Sequence, residues 1–185
     1  MNRIVGYFDN NGNSCDLINC DYIQLELLGP HAKTEGANAL VSKNCIDTIL
    51  VFSWYLGKDN YPVAYQSVDG KIKLGKGLKM HKLLHLNAPS GMVIDHINRN
   101  RLDNRMENIR ICTQKENSFN TSKNKNSKNK YKGVKQMKNG LWKASITHNK
   151  NKYEINDIPN ELDAAKVYDS MAEELFGDYA GKNFF

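Results

Sequence analysis

The sequence is poor in the features that define membrane-spanning, disulfide-stapled and zinc-held proteins. No stretch approaches the roughly 18 consecutive apolar residues of a spanning helix, which excludes a helical membrane protein. The opening MNRIVGYFDNNGNS has no apolar segment of the secretory type, so an intracellular protein is expected. Four cysteines, Cys15, Cys20, Cys45 and Cys112, form no Cys-x-x-Cys pair and read as free thiols, although Cys15 and Cys20 could pair under oxidation. An apolar share of 40% over 185 residues allows one large domain or two to three small ones, without surplus core.

Acid is missing too, but only locally. From Thr121 to Lys152 there are ten lysines and no Asp or Glu. The first 120 residues carry 14 basic against 12 acidic side chains, and the last 33 carry two lysines against eight acids. The net charge of +6 is therefore concentrated in one block. Such a block attracts a polyanion, and nucleic acid is the commonest one in a cell. The alternative is a solvated lysine-rich linker with no partner.

Periodicity and turn chemistry give the elements. GYFDNNGNSCD reads as a strand and a turn, and ILVFSWYLG (49–57) as a buried strand with Trp54 in the core. Residues 61–68 and 71–74 form an expected hairpin around Asp69-Gly70, the dipeptide suited to a type I′ turn. A short helix is expected over 79–86, ended by Asn87, Pro89 and Gly91. His81 and His85 would share one face of it. With no third ligand evident, both read as satisfied structural histidines.

The segment 93–117, VIDHINRNRLDNRMENIRICTQKEN, is the most telling. It reads as a strand (92–97), a polar loop (98–107), a strand (108–112) and a helix. Thr113 and Glu116 open that helix as a capping box, and Asn117 lies in its first turn. So much Asn, Asp and Arg suits a site for a metal ion and a phosphate better than a core. Beyond it, NTSKNKNSKNK (120–130) has no apolar residue and reads as a flexible linker. Strands at 131–136, 141–148 and 152–156 follow. A helix then starts at the cap Asn160 and ends at Gly177.

With Asp95-His96, Asn108 and Asn117 in this frame, the chain resembles the HNH, or ββα-metal, endonucleases of the homing branch carried by phages and mobile introns. MHKLL resembles that branch's lead-in, and KDNYPVAYQSVDGKIKLGKGLKMHK with FSWYLG its preceding segment. The C-terminal part resembles the AP2 DNA-binding domain through Tyr131, Gly133, Val134, Trp142, Ala144, Ile146, Ala165, Tyr168, Asp169, Tyr179 and Asn183. The expected fold is α+β, with a β-rich N-terminal region (1–75), an HNH motif (76–120), a basic linker (121–130) and a three-stranded sheet on one helix (131–185).

The resemblance implies hydrolysis of a phosphodiester bond in double-stranded DNA. Asp95 and Asn117 would ligate a divalent ion, Mg²⁺ foremost with Mn²⁺ possible, His96 would act as general base, and Asn108 would orient the loop that holds His96. In that family the metal bridges the scissile phosphate and the leaving 3′ oxygen, giving 5′-phosphate and 3′-hydroxyl ends. Arg99, Arg101, Arg105 and Arg110 are candidate phosphate contacts near the cut. Lys132, Lys135, Lys143, Ser145, Thr147 and Lys152 are candidate DNA contacts of the AP2-like sheet. Lys132, Lys135, Thr147 and Lys152 stand where the family often has base-reading arginines, and Glu154 where it has tryptophan, so backbone positioning is expected over base readout.

Taken singly, Asp95 could be a turn acid, Asn108 a loop amide, Asn117 a helix residue, and each arginine a solvated side chain. A restriction or phage-packaging nuclease would share the chemistry, and a silent AP2-type regulator would share only the binding. No membrane and no protein partner are expected, the compartment being the cytoplasm of a bacterial or phage-infected cell. One motif per chain gives one active centre, which favours nicking unless the chain dimerises.

Overall fold

Alternation of apolar and polar side chains builds the first sheet. In the strand Tyr22–Glu26, Ile23 and Leu25 are fully buried while their neighbours are half-exposed. The structure is a computed structural model that describes residues 2–35, 37–67, 73–124, 127 and 129–184. It is α+β, with several small sheets and few helices, and divides into two compact units, Met1–Ile111 and Cys112–Phe185. Among the described residues no helix is long and apolar enough to cross a membrane.

The first unit holds β1 (Ile4–Phe8), β2 (Tyr22–Glu26), α1 (Pro30–Glu35), β3 (Asn38–Ser42), α2 (Ile46–Leu50), β4 (Phe52–Leu56), β5 (Pro62–Ser67), β6 (Lys73–Lys79), α3 (Met80–Leu84), β7 (Met92–His96) and β8 (Asp103–Asn104). Strands β1, β2, β3 and β8 form one sheet in that order, and β4, β5 and β6 form an antiparallel meander. Their inner faces share one core that includes Ile23, Leu25, Val41, Ile49, Trp54 and Met80. Asn2 ties the two sheets: its amide donates to the carbonyls of Glu26 and Trp54, both at 2.8 Å. The turn after β1 is held by Asp9, whose carboxylate accepts from the backbone of Asn11 and Asn13.

Three expectations change here. The apolar run 49–57 is not one strand, because α2 ends at Leu50 and β4 begins only at Phe52. The reversal puts the Ile49 carbonyl 2.8 Å from the indole N–H of fully buried Trp54, a partner that a straight strand would not supply. The helix expected over 79–86 stops at Leu84. His85 leaves helical geometry with φ −128° and ψ 46°, so His81 and His85 share no helix face. The polar loop after β7 contains a strand, since Asp103 and Asn104 pair in parallel with Leu40 and Val41. The expected Asp69-Gly70 turn lies outside the described residues.

Strand β9 (Ile109–Thr113) pairs with β7, and the division between units falls inside it. The second unit continues with α4 (Gln114–Phe119), β10 (Val134–Gln136), β11 (Trp142–His148), β12 (Asn151–Ile158) and α5 (Glu161–Phe176). Thr113 and Glu116 make the expected capping box, and the Asn160 side chain accepts from the Asp163 amide at 2.8 Å. Strands β10, β11 and β12 are antiparallel, and Val134, Ala144 and Ile146 pack on Ala165, Tyr168 and Ala172 of α5. Gly133 lets the chain enter this sheet: its φ is +71°, and a Cβ there would stand 2.0 Å from the Tyr168 ring.

The stretch expected as a free linker is anchored at its start. Phe119 stacks on Phe176 with centroids 4.1 Å apart, and Lys132 Nζ donates to the carbonyls of Phe119, Thr121 and Gly181. Lys125, Asn126 and Lys128 of that stretch lie outside the described residues.

Candidate active site

Strand β7 ends on Asp95 and His96, both buried, at 7% and 4% exposure. The chain then turns sharply, with the Arg99 amide donating to the His96 carbonyl at 2.8 Å and Arg99 itself in the left-handed region at φ +63°. Asn108 closes the loop from its far end. Its carbonyl accepts from the Ile97 amide, its Oδ1 accepts from the Asn98 amide, and its Nδ2 donates to the Asp103 carbonyl at 2.7 Å.

The loop's polar density is largely its own scaffold. The Asn98 and Asn100 side chains accept from the backbone two residues on, and Asp103, Asn104 and Asn108 are all buried. Asp103 receives Nε and Nη2 of Arg105 and the amide of Asn98, each at 2.8 Å. Burial pushes the Asp103 carboxyl up, but the Arg105 hydrogen bonds and charge outweigh it and hold the group below its ordinary value. Much of the Asn and Asp content read as marking a ligand site thus serves the loop itself. A buried loop satisfies its backbone in the same way.

His96 is poised by its neighbours. Asn104 Nδ2 donates to the Arg101 carbonyl, which turns Asn104 Oδ1 toward His96 Nε2 at 3.3 Å. That contact places the proton on Nε2 and leaves Nδ1 as the basic nitrogen. Burial lowers the His96 pKa, against the opposing pull of the Asn104 hydrogen bond and the Asp95 charge. The imidazole is neutral at neutral pH, the state a proton acceptor needs. Asp95 Oδ2 accepts from Arg110 Nε at 3.1 Å and Nη2 at 2.8 Å. Asn117 is a half-buried residue of α4, in the second unit.

Sequence reasoning missed a ring cluster around His96. Its imidazole lies 5.0 Å from His81 and 5.8 Å from the Tyr61 ring, and His81 lies 4.9 Å from Tyr61, between centroids. His81 is buried, its Nδ1 has no hydrogen-bond partner among the described residues, and burial together with the nearby His96 pushes its pKa down to about 3. It is therefore not the satisfied structural histidine expected. Its spacing ahead of the Asp-His pair in the lead-in MHKLL was the available signal.

The candidate DNA contacts divide by what already holds them. Arg105 and Arg110 grip Asp103 and Asp95, Arg101 donates to the Asp59 carbonyl at 2.7 Å, and Arg99 is half-buried. Lys132 is spent on backbone carbonyls within the second unit. Lys135, Lys143, Ser145, Thr147 and Lys152 share the sheet face away from α5, because Lys135 pairs with Lys143, Ser145 with Glu154 and Thr147 with Lys152. On that face Lys143 and Lys152 both bind Glu154, at 2.6 and 2.8 Å, and hold its carboxyl down to about 2.

Among the described residues no group of three or more His, Cys, Asp or Glu side chains is placed to hold a metal. Magnesium needs less, since it keeps most of its waters and takes one or two protein oxygens. Asp95 and Asn117 each offer a hard oxygen and no sulfur or imidazole. Oxygen donors of this kind suit Mg²⁺ or Mn²⁺ better than zinc, which favours sulfur and imidazole.

A family model described as HNH endonuclease matches residues 87–119. The chain is also 37% identical over 166 residues to an uncharacterized HNH endonuclease of Acanthamoeba polyphaga mimivirus, covering 87% of this chain and 81% of that protein. No solved structure matches.

Proposed function

The chain belongs to the HNH endonuclease family, and from that premise we propose that it hydrolyses a phosphodiester bond in double-stranded DNA as a site-specific endonuclease of the homing type. The observation that carries this is the neutral, hydrogen-bonded His96 beside Asp95, on a loop pinned by Asn108, all within the matched stretch. His96 Nδ1 takes the proton of the attacking water. Asn108 and Asn104 keep the loop and the ring in place, the first through three hydrogen bonds to the loop and the second through His96 Nε2.

Asp95 and Asn117 hold a divalent cation, Mg²⁺ first and Mn²⁺ as a substitute. When bound, it supplies the positive charge that the phosphate and the leaving oxygen need. The AP2-like sheet carries Lys135, Lys143, Ser145, Thr147 and Lys152 to the DNA. Lys132 contributes by tying the end of α4 and the C-terminal segment to the chain that enters the sheet.

With one such centre per chain, a monomer cuts one strand. Supercoiled plasmid carrying the target is expected to be nicked with Mg²⁺ and to stay intact with EDTA. Binding without metal-dependent cleavage would instead identify a silent AP2-type regulator. A restriction or packaging role would show the same cleavage and differ in genetic surroundings.

A further inference from the structure

We propose that Tyr61 carries Lys79 and Arg101 beside His96 as a two-cation grip for the backbone phosphates flanking the bond that is cut. The inference rests on the endonuclease reading and adds a binding subsite to it. The turn that joins β4 to β5 organises the grip. Gly57 N donates to the Tyr61 carbonyl at 2.9 Å, and a Cβ at Gly57 would meet Asp59 Oδ1 at 3.1 Å and that carbonyl at 3.2 Å. On the Tyr61 ring, Lys79 Nζ sits 3.9 Å and the Arg101 guanidinium carbon 4.7 Å from the centroid. The same turn anchors both cations, because Asp59 accepts Lys79 Nζ on its carboxylate at 2.6 Å and Arg101 Nη1 on its carbonyl at 2.7 Å.

The arrangement is ill-suited to being a stability device. The Lys79–Asp59 pair is exposed enough that solvent screens most of its attraction. What the contacts do is fix direction. A guanidinium lying against a ring and tied by one N–H to a carbonyl keeps the rest of its fork for a phosphate, and little motion remains to be lost on binding. Lysine likewise keeps donors beyond the one on Asp59. Two cations against the Asp59 carboxylate leave a positive site that takes an anion. Arg105 and Arg110, by contrast, are committed to buried carboxylates. The grip adjoins the imidazole at 5.8 Å between the Tyr61 and His96 rings, so a strand held there presents its phosphate to the base. Tyr61 is a positioning residue, and Lys79 and Arg101 are the binding groups.

The test uses the full chain and duplex target DNA. Affinity is measured across a salt series in EDTA, and single-turnover nicking is measured separately in Mg²⁺. The double change Lys79→Gln/Arg101→Gln should lower the slope of log affinity against log salt by about 1.8, roughly 0.9 for each lost phosphate contact. It should also raise the DNA concentration for half-maximal nicking at least tenfold. Tyr61→Leu should give part of this loss, and Tyr61→Phe, which keeps the ring, should restore it. An unchanged slope in the double variant, or equal behaviour of the Leu and Phe variants, overturns the grip. If the wild-type chain nicks and the slope does not move, the grip alone fails. If the slope moves but no chain nicks, the grip stands and the endonuclease reading fails.

Discussion

His96→Ala is expected to slow nicking by about 10²- to 10⁴-fold, the range lost with a general base, while affinity for target DNA in EDTA stays within a few-fold of wild type. The separation follows from burial. At 4% exposure His96 presents almost no surface to the backbone, so phosphate affinity is carried by the exposed cations and not by this ring. The pH profile gives the same account a second edge. Burial lowers the His96 pKa below its ordinary 6.5, so the wild-type rate should hold from neutral pH downward and fall only below 6.5. The variant should lose that acidic limb. Removing the ring also leaves a gap beside the His81 and Tyr61 pair, so circular dichroism and a melting curve accompany the assay. Nicking within tenfold of wild type, or a collapse of affinity in a folded variant, would remove His96 from the chemistry.

Arg105→Leu is expected to destabilise the first unit by about 3–5 kcal/mol, the cost of leaving a buried carboxylate without its cation. Asp103 is 2% exposed, and its carboxylate accepts both Nε and Nη2 of Arg105. It also forms half of β8, the two-residue strand that attaches the loop to Leu40 and Val41. Losing the guanidinium therefore loosens the loop that carries His96 as well as the charge. In the wild type, the depressed Asp103 pKa contributes stability that is present above pH 3.8 and lost as pH falls through the folded value. The variant should no longer show that acid loss. Urea denaturation at pH 7 and at a series of pH values below 3.8 measures both effects. Stability within 0.5 kcal/mol of wild type, roughly what an exposed arginine gives, would return Arg105 to the set of DNA contacts.

The parts of the fold that were legible in the sequence are those specified by local chemistry. Thr113 and Glu116 cap α4 because a hydroxyl and a carboxylate three residues apart satisfy each other's amides, wherever the helix lies. Asn160 acts in the same way for α5, and Trp54 was safe as core because of its size and its apolar neighbours. The illegible parts depend on partners distant in the chain. Nothing in Asp103-Asn104 marks a strand until Leu40 and Val41 are brought alongside. Nor does charge pattern separate a lysine on an open sheet face, as at Lys135, from one whose ammonium is spent on backbone carbonyls, as at Lys132.

At the candidate site, the Asp-His pair and the loop amide at Asn108 were readable because their spacing is local to one motif. Tyr61, Lys79 and His81 were not. They come from a turn, a strand end and a short helix that only the folded first unit gathers around His96. The dense run of Asn and Asp misled in the other direction, since most of it satisfies the loop's own backbone.

Manganese binding to the wild-type chain and to its Asp95→Asn and Asn117→Ala variants, followed by electron paramagnetic resonance with target DNA present, tests the central claim most directly. The account predicts one bound ion per wild-type chain, displaceable by magnesium, and at least tenfold weaker binding in each variant, with all three chains folded. Undiminished binding in both variants, or no ion bound by the wild type, would contradict it.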